Sequence, residues 1–127
     1  MKCFVTGRST NIDGVNQVYK LLEAAGHQVF RWTHLPGVKP YQENAEAAAE
    51  FARDRISEIS QSDVYFLLAH HDGNGVFAEL GAALAVWQLH GKLKIYGVSR
   101  DIPDAMFHYH PAILWRETIE SVLEELR

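Results

Sequence analysis

The chain has 127 residues, 47% of them hydrophobic and 22% charged, which suits one globular domain over residues 1–127 and leaves no room for two. Twelve basic against 16 acidic residues give a net charge of −4 with no basic stripe, so a nucleic-acid polymer is not expected as a partner. No apolar run approaches the ~20 residues of a membrane span, no signal-type segment opens the chain, and the single Cys3 excludes an intrachain disulfide. A cytoplasmic protein without membrane association is the expectation.

Lys2 to Thr6 is a short apolar run that predicts a strand, followed by Gly7-Arg8-Ser9-Thr10-Asn11. A strand, a glycine and small hydroxyl residues ahead of a helix can turn backbone N–H groups towards an anion, and Arg8 adds a fixed charge suited to a phosphate. The plainer alternative is that Asn11 or Asp13 only caps the helix and Arg8 is solvated. Val15, Val18, Leu21, Leu22 and Ala25 recur at helical spacing until Gly26. His27 to Trp32 predicts a second strand, and Leu35 to Tyr41, with Pro36, Gly37 and Pro40, a loop. Trp32 can stack on a base or serve as a lid on the core.

Glu43 to Ser60 predicts a helix whose Ala45, Ala48, Ala49, Ala52, Ile56 and Ile59 share one face, and that face is expected to cover the sheet. Val64 to Ala69, opened by Asp63, has the length and β-rich composition of a strand buried on both sides. His70 to Gly75 is a turn-forming cluster. Next comes a helix of small and apolar residues, Ala78, Leu80, Gly81, Ala82, Ala83, Ala85 and Val86, ended by Gly91, and Lys92 to Val98 supplies a fourth strand. One residue is out of place. Glu79 is an acid expected in the first helical turn amid apolar neighbours: either it complements the positive end of the helix dipole, worth roughly 0.3–1 kcal/mol, or it serves chemistry in a crevice at the carboxyl end of the sheet.

Ser99 to Pro111 is irregular and rich in aromatic and histidine residues, readable as a lid, an interface or a buried connector. His108 and His110 lie two apart, but no cysteine or paired carboxylate completes a ligand set, so no metal is expected. Ala112 to Trp115 predicts a fifth strand, and Glu117 to Arg127 a closing amphipathic helix. Strands alternating with helices, short connections and right-handed crossovers predict an α/β fold. Its form is a three-layer α/β/α sandwich around a five-stranded parallel sheet, in the flavodoxin-like or Rossmann-like order 2-1-3-4-5. That order brings the loops after the first and third strands together.

The string Gly75-Val76-Phe77-Ala78-Glu79-Leu80-Gly81-Ala82-Ala83, behind a strand starting Ser62-Asp63-Val64, resembles the nucleoside 2-deoxyribosyltransferase family, which includes the 2'-deoxynucleoside 5'-phosphate N-hydrolases and related nucleotide N-glycosidases. The resemblance implies that Glu79 is the nucleophile attacking the anomeric carbon of a sugar. It also implies that Gly7, Arg8, Ser9, Asn74 and Gly75 hold the sugar and any 5'-phosphate, that no cofactor is needed, and that the chain forms a homo-oligomer. Two positions depart from the pattern. The usual threonine after the glycine is Val76, and the family's aspartate, eight residues before Asp63, falls on Arg55, with the acid Asp54 one place off. Asp54 is the family-derived candidate for assisting the leaving base; otherwise the acid is absent and Arg55 instead holds a phosphate or carboxylate, and a solvated helix face is the plainer reading for both.

The function implied is cleavage or transfer of the N-glycosidic bond of a nucleoside or nucleoside 5'-monophosphate through a glycosyl-Glu79 ester. Two alternatives stay open. One is a nucleotide-binding or sensing module that kept the cleft without the chemistry, which Val76 and Arg55 favour. The other is a phosphoribohydrolase of the lysine-decarboxylase-like fold, which Gly73-Asn74-Gly75 ahead of Glu79 faintly resembles.

Overall fold

The computed structural model describes all residues from Met1 to Arg127. Five strands, β1 (Lys2–Thr6), β2 (Gln28–Val29), β3 (Val64–Leu68), β4 (Lys94–Val98) and β5 (Ile113–Arg116), form one sheet. It is parallel throughout, in the order β2-β1-β3-β4-β5, as the alternation of elements predicts. Four helices, α1 (Ile12–Ala24), α2 (Ala45–Gln61), α3 (Asn74–His90) and α4 (Ile119–Glu125), make the crossovers and the closing segment. Because the order reverses at β1 and β3, right-handed connections send α1 and α3 to opposite faces of the sheet. None of the helices is long and apolar enough to cross a membrane.

The central strands are buried from end to end. Cys3, Phe4, Val5, Tyr65, Phe66 and Leu67 are fully enclosed, which is why they read as continuous apolar runs without alternation. Phe4 stacks on Tyr65 and Phe66 on Tyr96 across neighbouring strands. Gly91 ends α3 in the left-handed conformation, φ 62°, and its N–H bonds the Trp87 carbonyl at 2.9 Å. Gly97 meets a different demand: a Cβ there would lie 2.5 Å from the Trp115 ring, so the β4–β5 packing requires its absence.

Three elements differ from the sequence expectation. β2 is only two residues long instead of His27 to Trp32. The chain leaves the sheet at Phe30 and enters a 3-10 turn, Trp32–His34, while the Trp32 indole N–H donates to the Val5 carbonyl at 2.7 Å and the ring sinks into the core. The alanine face of α2 does not lie on the sheet. Ala45, Ala49, Ala52 and Ile56 are exposed and Ile59 alone is buried, because α2 packs against α3 and reaches the sheet only near its C-terminal end. Finally, α3 starts at Asn74, so Glu79 stands in its second turn, with no acid in the first.

Candidate active site

Strand β1 ends in Thr6, strand β3 begins the chain's approach to the Gly73–Gly75 turn, and helix α3 carries Glu79 back over both. Thr6 is paired with Leu67 across the β1–β3 ladder. A threonine in an otherwise apolar buried strand needs a partner for its hydroxyl, and it finds Glu79: Thr6 Oγ1 donates to Glu79 Oε1 at 2.9 Å. On the other side Arg55 Nη1 donates to Glu79 Oε2 at 3.3 Å. Glu79 is only 7% exposed. Burial pushes its carboxyl pKa up, and the Thr6 hydroxyl and the Arg55 charge draw it partly back. Beneath them Tyr65 is wholly enclosed, and burial, seconded by the charge on Glu79, holds its hydroxyl neutral well above the ordinary tyrosine range.

Arg55 is itself held in place. Its guanidinium sits 4.8 Å over the ring of Trp32, whose own position is tied to Val5. The Arg55 Nε is sealed from solvent without a hydrogen-bond partner. Trp32 therefore acts as a platform for Arg55 as well as a lid on the core.

Two chambers meet at this point. One, of about 460 Å³, is lined by polar groups: the Gly7-Arg8-Ser9 turn, Lys39, and Gly73, Asn74 and Gly75. The other, of about 350 Å³, is mainly apolar and lies between α2 and α3, walled by Val38, Phe51, Ile56 and the small residues Ala48, Ala52 and Ala78. Tyr41, Arg55, Gly75 and Glu79 belong to both. A carboxylate thus stands at the boundary between a polar space and an apolar one. Ala48 and Ala52 acquire a meaning here: their short side chains leave the second chamber open.

Of the residues singled out in the sequence, Gly7, Arg8, Ser9, Asn74, Gly75 and Glu79 are gathered around the polar chamber. Gly7 is required by close packing, since a Cβ there would come within 2.6 Å of Val15 Cγ2. Gly73 has φ 112°, a conformation that favours glycine, and so shapes the entry to α3. Asn11 occupies the N-cap of α1 without a capping side-chain bond. Asp54 is not brought to the site: it is exposed and lines neither chamber, whereas Arg55, one position later, faces Glu79. Thr6, Tyr65 and the Trp32–Arg55 stack were not anticipated. The one signal for Thr6 was a hydroxyl at the end of a buried strand.

Arg8 forms an ion pair with Asp72 Oδ1 at 2.8 Å, and the same carboxylate faces His70 Nδ1 at 3.0 Å and His71 Nε2 at 3.5 Å. His70, His71 and Asp72 are the group whose ligand atoms converge, within 4.8 Å of one another, as a cation site would need. The Arg8 guanidinium already occupies Asp72, which opposes a metal there. His108 and His110 do not converge. His108 is buried between Phe77 and Trp115, with ring centroids 5.3 and 5.6 Å away, while His110 Nε2 lies 2.9 Å from Gln88 Oε1. Of the three roles open for Ser99 to Pro111, His108 fills that of a buried connector.

No family model matches the sequence, and no curated protein does. Solved structures do match the fold. A 2-deoxyribosyltransferase from the psychrotolerant bacterium Bacillus psychrosaccharolyticus superposes with a TM-score of 0.69 at 20% identity, over 97% of this chain and 90% of that one. The Clostridium botulinum CMP N-glycosidase BcmB superposes with a TM-score of 0.59 at 14% identity, over 99% of this chain and 98% of that one. The likeness read from the Gly75–Ala83 string therefore extends to the whole α/β architecture.

Proposed function

We propose that this chain is an enzyme of the nucleoside 2-deoxyribosyltransferase type that breaks the N-glycosidic bond of a nucleoside or, better, a nucleoside 5'-monophosphate. The observation that carries the reading is the position of Glu79: buried, and at the junction of a polar and an apolar chamber. A nucleotide has the same division, with a hydroxylated, charged sugar phosphate on one side of the anomeric carbon and a flat base on the other. Seating the sugar phosphate near Gly7, Arg8, Ser9, Asn74 and Gly75, with the base in the α2–α3 chamber, puts the anomeric carbon beside Glu79. The fold shared with a 2-deoxyribosyltransferase and a CMP N-glycosidase supports the same choice.

In this mechanism one oxygen of Glu79 attacks the anomeric carbon as the bond to the base breaks, forming a glycosyl ester. Water or a second base then attacks the ester from the opposite side, so the product keeps the starting configuration. Thr6 orients the carboxylate through Oε1 and favours its ionised form. Arg8 is released from Asp72 to bind the 5'-phosphate in bidentate fashion. Asp54, exposed outside both chambers, takes no part.

Incubation with a 2'-fluoro nucleoside or nucleotide, followed by peptide mass spectrometry, tests the reading. A sugar adduct on Glu79 supports it; free base released at full rate by a Glu79→Gln variant ends it. A nucleotide-binding module without turnover is the second reading, and the Arg55–Glu79 ion pair favours it by occupying the carboxylate. A ligand-induced thermal shift with the nucleotide recovered intact selects that alternative.

A further inference from the structure

If Glu79 is the nucleophile, as proposed above, the charge in the site moves during the reaction. The carboxylate becomes a neutral ester, and Arg55 loses the anion it faces at 3.3 Å. In the same step the electron pair of the breaking bond passes to the base. The base must either take up a proton as it leaves or depart as an anion.

The groups around Glu79 decide which. Besides Glu79 itself, the ionisable side chains lining the two chambers are Arg8, Lys39, Tyr41 and Arg55, with no second carboxyl group and no histidine. Lys39 and Tyr41 are exposed and engage each other, the ammonium 5.8 Å from the ring centroid. Of the two chambers Arg8 lines only the polar one, where it is committed to the 5'-phosphate. Arg55 alone is both fixed and adjacent to the nucleophile, clamped over Trp32 at 4.8 Å. A guanidinium has five N–H donors and does not release a proton at working pH. It can stabilise a negative charge on a leaving base but cannot protonate one.

The geometry points to Arg55 as the residue that receives the departing base, and so to nucleotides of oxo bases with a ring lactam, such as uracil or hypoxanthine, as the substrate class. Such bases spread the departing negative charge over a carbonyl oxygen, which Arg55 can bond. Cytosine has an electron-releasing amino group in place of the second carbonyl, and adenine has no carbonyl, so both leave most readily when protonated. The step balances: the bond from Glu79 to the anomeric carbon forms, the glycosidic bond breaks, and its electron pair stays on the base nitrogen. Water then supplies its oxygen to the sugar and one proton to the base anion, and the Glu79 carboxylate is restored. Arg55 faces an anion at both ends of this sequence, first Glu79 and then the base, so its electrostatic contribution follows the charge as it moves.

The test uses the whole chain with the 5'-monophosphates of uracil, hypoxanthine, cytosine and adenine, in ribose and 2'-deoxyribose series, with released base measured across pH. The expected result is a kcat/KM roughly 10²-fold higher for the two oxo bases. Their rate should stay level up to the pH at which the lactam N–H itself ionises, since no general acid is lost. Arg55→Gln should erase the preference by slowing the oxo bases, and Arg55→Asp should favour the amino bases with a rate that falls as pH rises. Equal or faster release of cytosine or adenine by the unaltered chain overturns the role of Arg55 whatever the variants do. Base-blind cleavage with a sugar adduct on Glu79 overturns this inference and leaves the proposed function standing. No release from any of the nucleotides and no adduct overturns both.

Discussion

Thr6 and Glu79 lie 73 residues apart in the chain and meet at 2.9 Å, the hydroxyl of the first strand donating to the carboxylate of the third helix. That bond joins the two sides of the switch point, where β1 and β3 run side by side and their following loops diverge. It also sets the chemistry, because a carboxylate this enclosed needs donors to remain ionised.

Glu79→Gln should abolish turnover while stabilising the fold. Burial raises the folded-state pKa of Glu79 above its unfolded value, so between the two values the native state binds more protons and stability falls as pH rises. The ionised form is therefore a cost present at neutral pH and relieved on acidification. Thermal unfolding at pH 7.5 should show a higher Tm for the variant, by roughly 2–5 °C, with the gain disappearing below the ordinary carboxylate range. An unchanged or lower Tm at pH 7.5 contradicts the assignment of Glu79 as a strained, desolvated anion.

Thr6→Val keeps the shape of the side chain and removes the donor to Oε1. Losing it lifts the Glu79 pKa further, since the hydroxyl is one of the two groups, with Arg55, that draw it down. The acid limb of the rate profile should move to higher pH, and denaturant unfolding should show a loss of about 1–3 kcal/mol from the less satisfied carboxylate. A profile that does not move places Glu79 outside the rate-limiting chemistry.

Arg8→Gln separates phosphate binding from catalysis. It removes the guanidinium beside the polar chamber and frees Asp72. KM for nucleoside 5'-monophosphates should rise by roughly 10- to 100-fold, with kcat and the values for unphosphorylated nucleosides little changed. An equal effect on both substrate types would assign Arg8 to the sugar or to the fold.

Gly97→Ala examines the packing away from the site. The new Cβ would sit 2.5 Å from Trp115 Cε3 and 2.6 Å from Cζ3, on the ring whose indole N–H donates to the His108 carbonyl at 3.0 Å. Displacing that ring should cost about 1–3 kcal/mol in chemical denaturation. Stability within experimental error of the parent would mean that β5 has room to shift.

The helix Ala45–Gln61 shows where sequence reasoning reached its limit. Its existence was legible from the 3.6-residue period. Its orientation was not, because Ala48, Ala52 and Ile56, from the stripe that should have met the sheet, instead border a chamber. A helix advances about 100° per residue, so exchanging Asp54 for Arg55 at the site is a matter of rotation about the axis. That rotation is set by contact with α3 and by the Trp32 ring, neither of which lies nearby in the chain. The same holds for β2, expected from His27 to Trp32 and cut short where the Trp32 indole bonds Val5.

By itself the sequence determined the parallel sheet and its order, the stop at Gly91, and the isolation of one acid amid apolar neighbours, since periodicity, glycine placement and crossover handedness act locally or by general rule. Tertiary structure alone decided that Thr6, Arg55 and Glu79 converge, that Asp54 turns to solvent, and that a polar and an apolar chamber meet at one carboxylate. Those relations depend on strand register and helix rotation, which are fixed by long-range packing between segments that no local pattern connects.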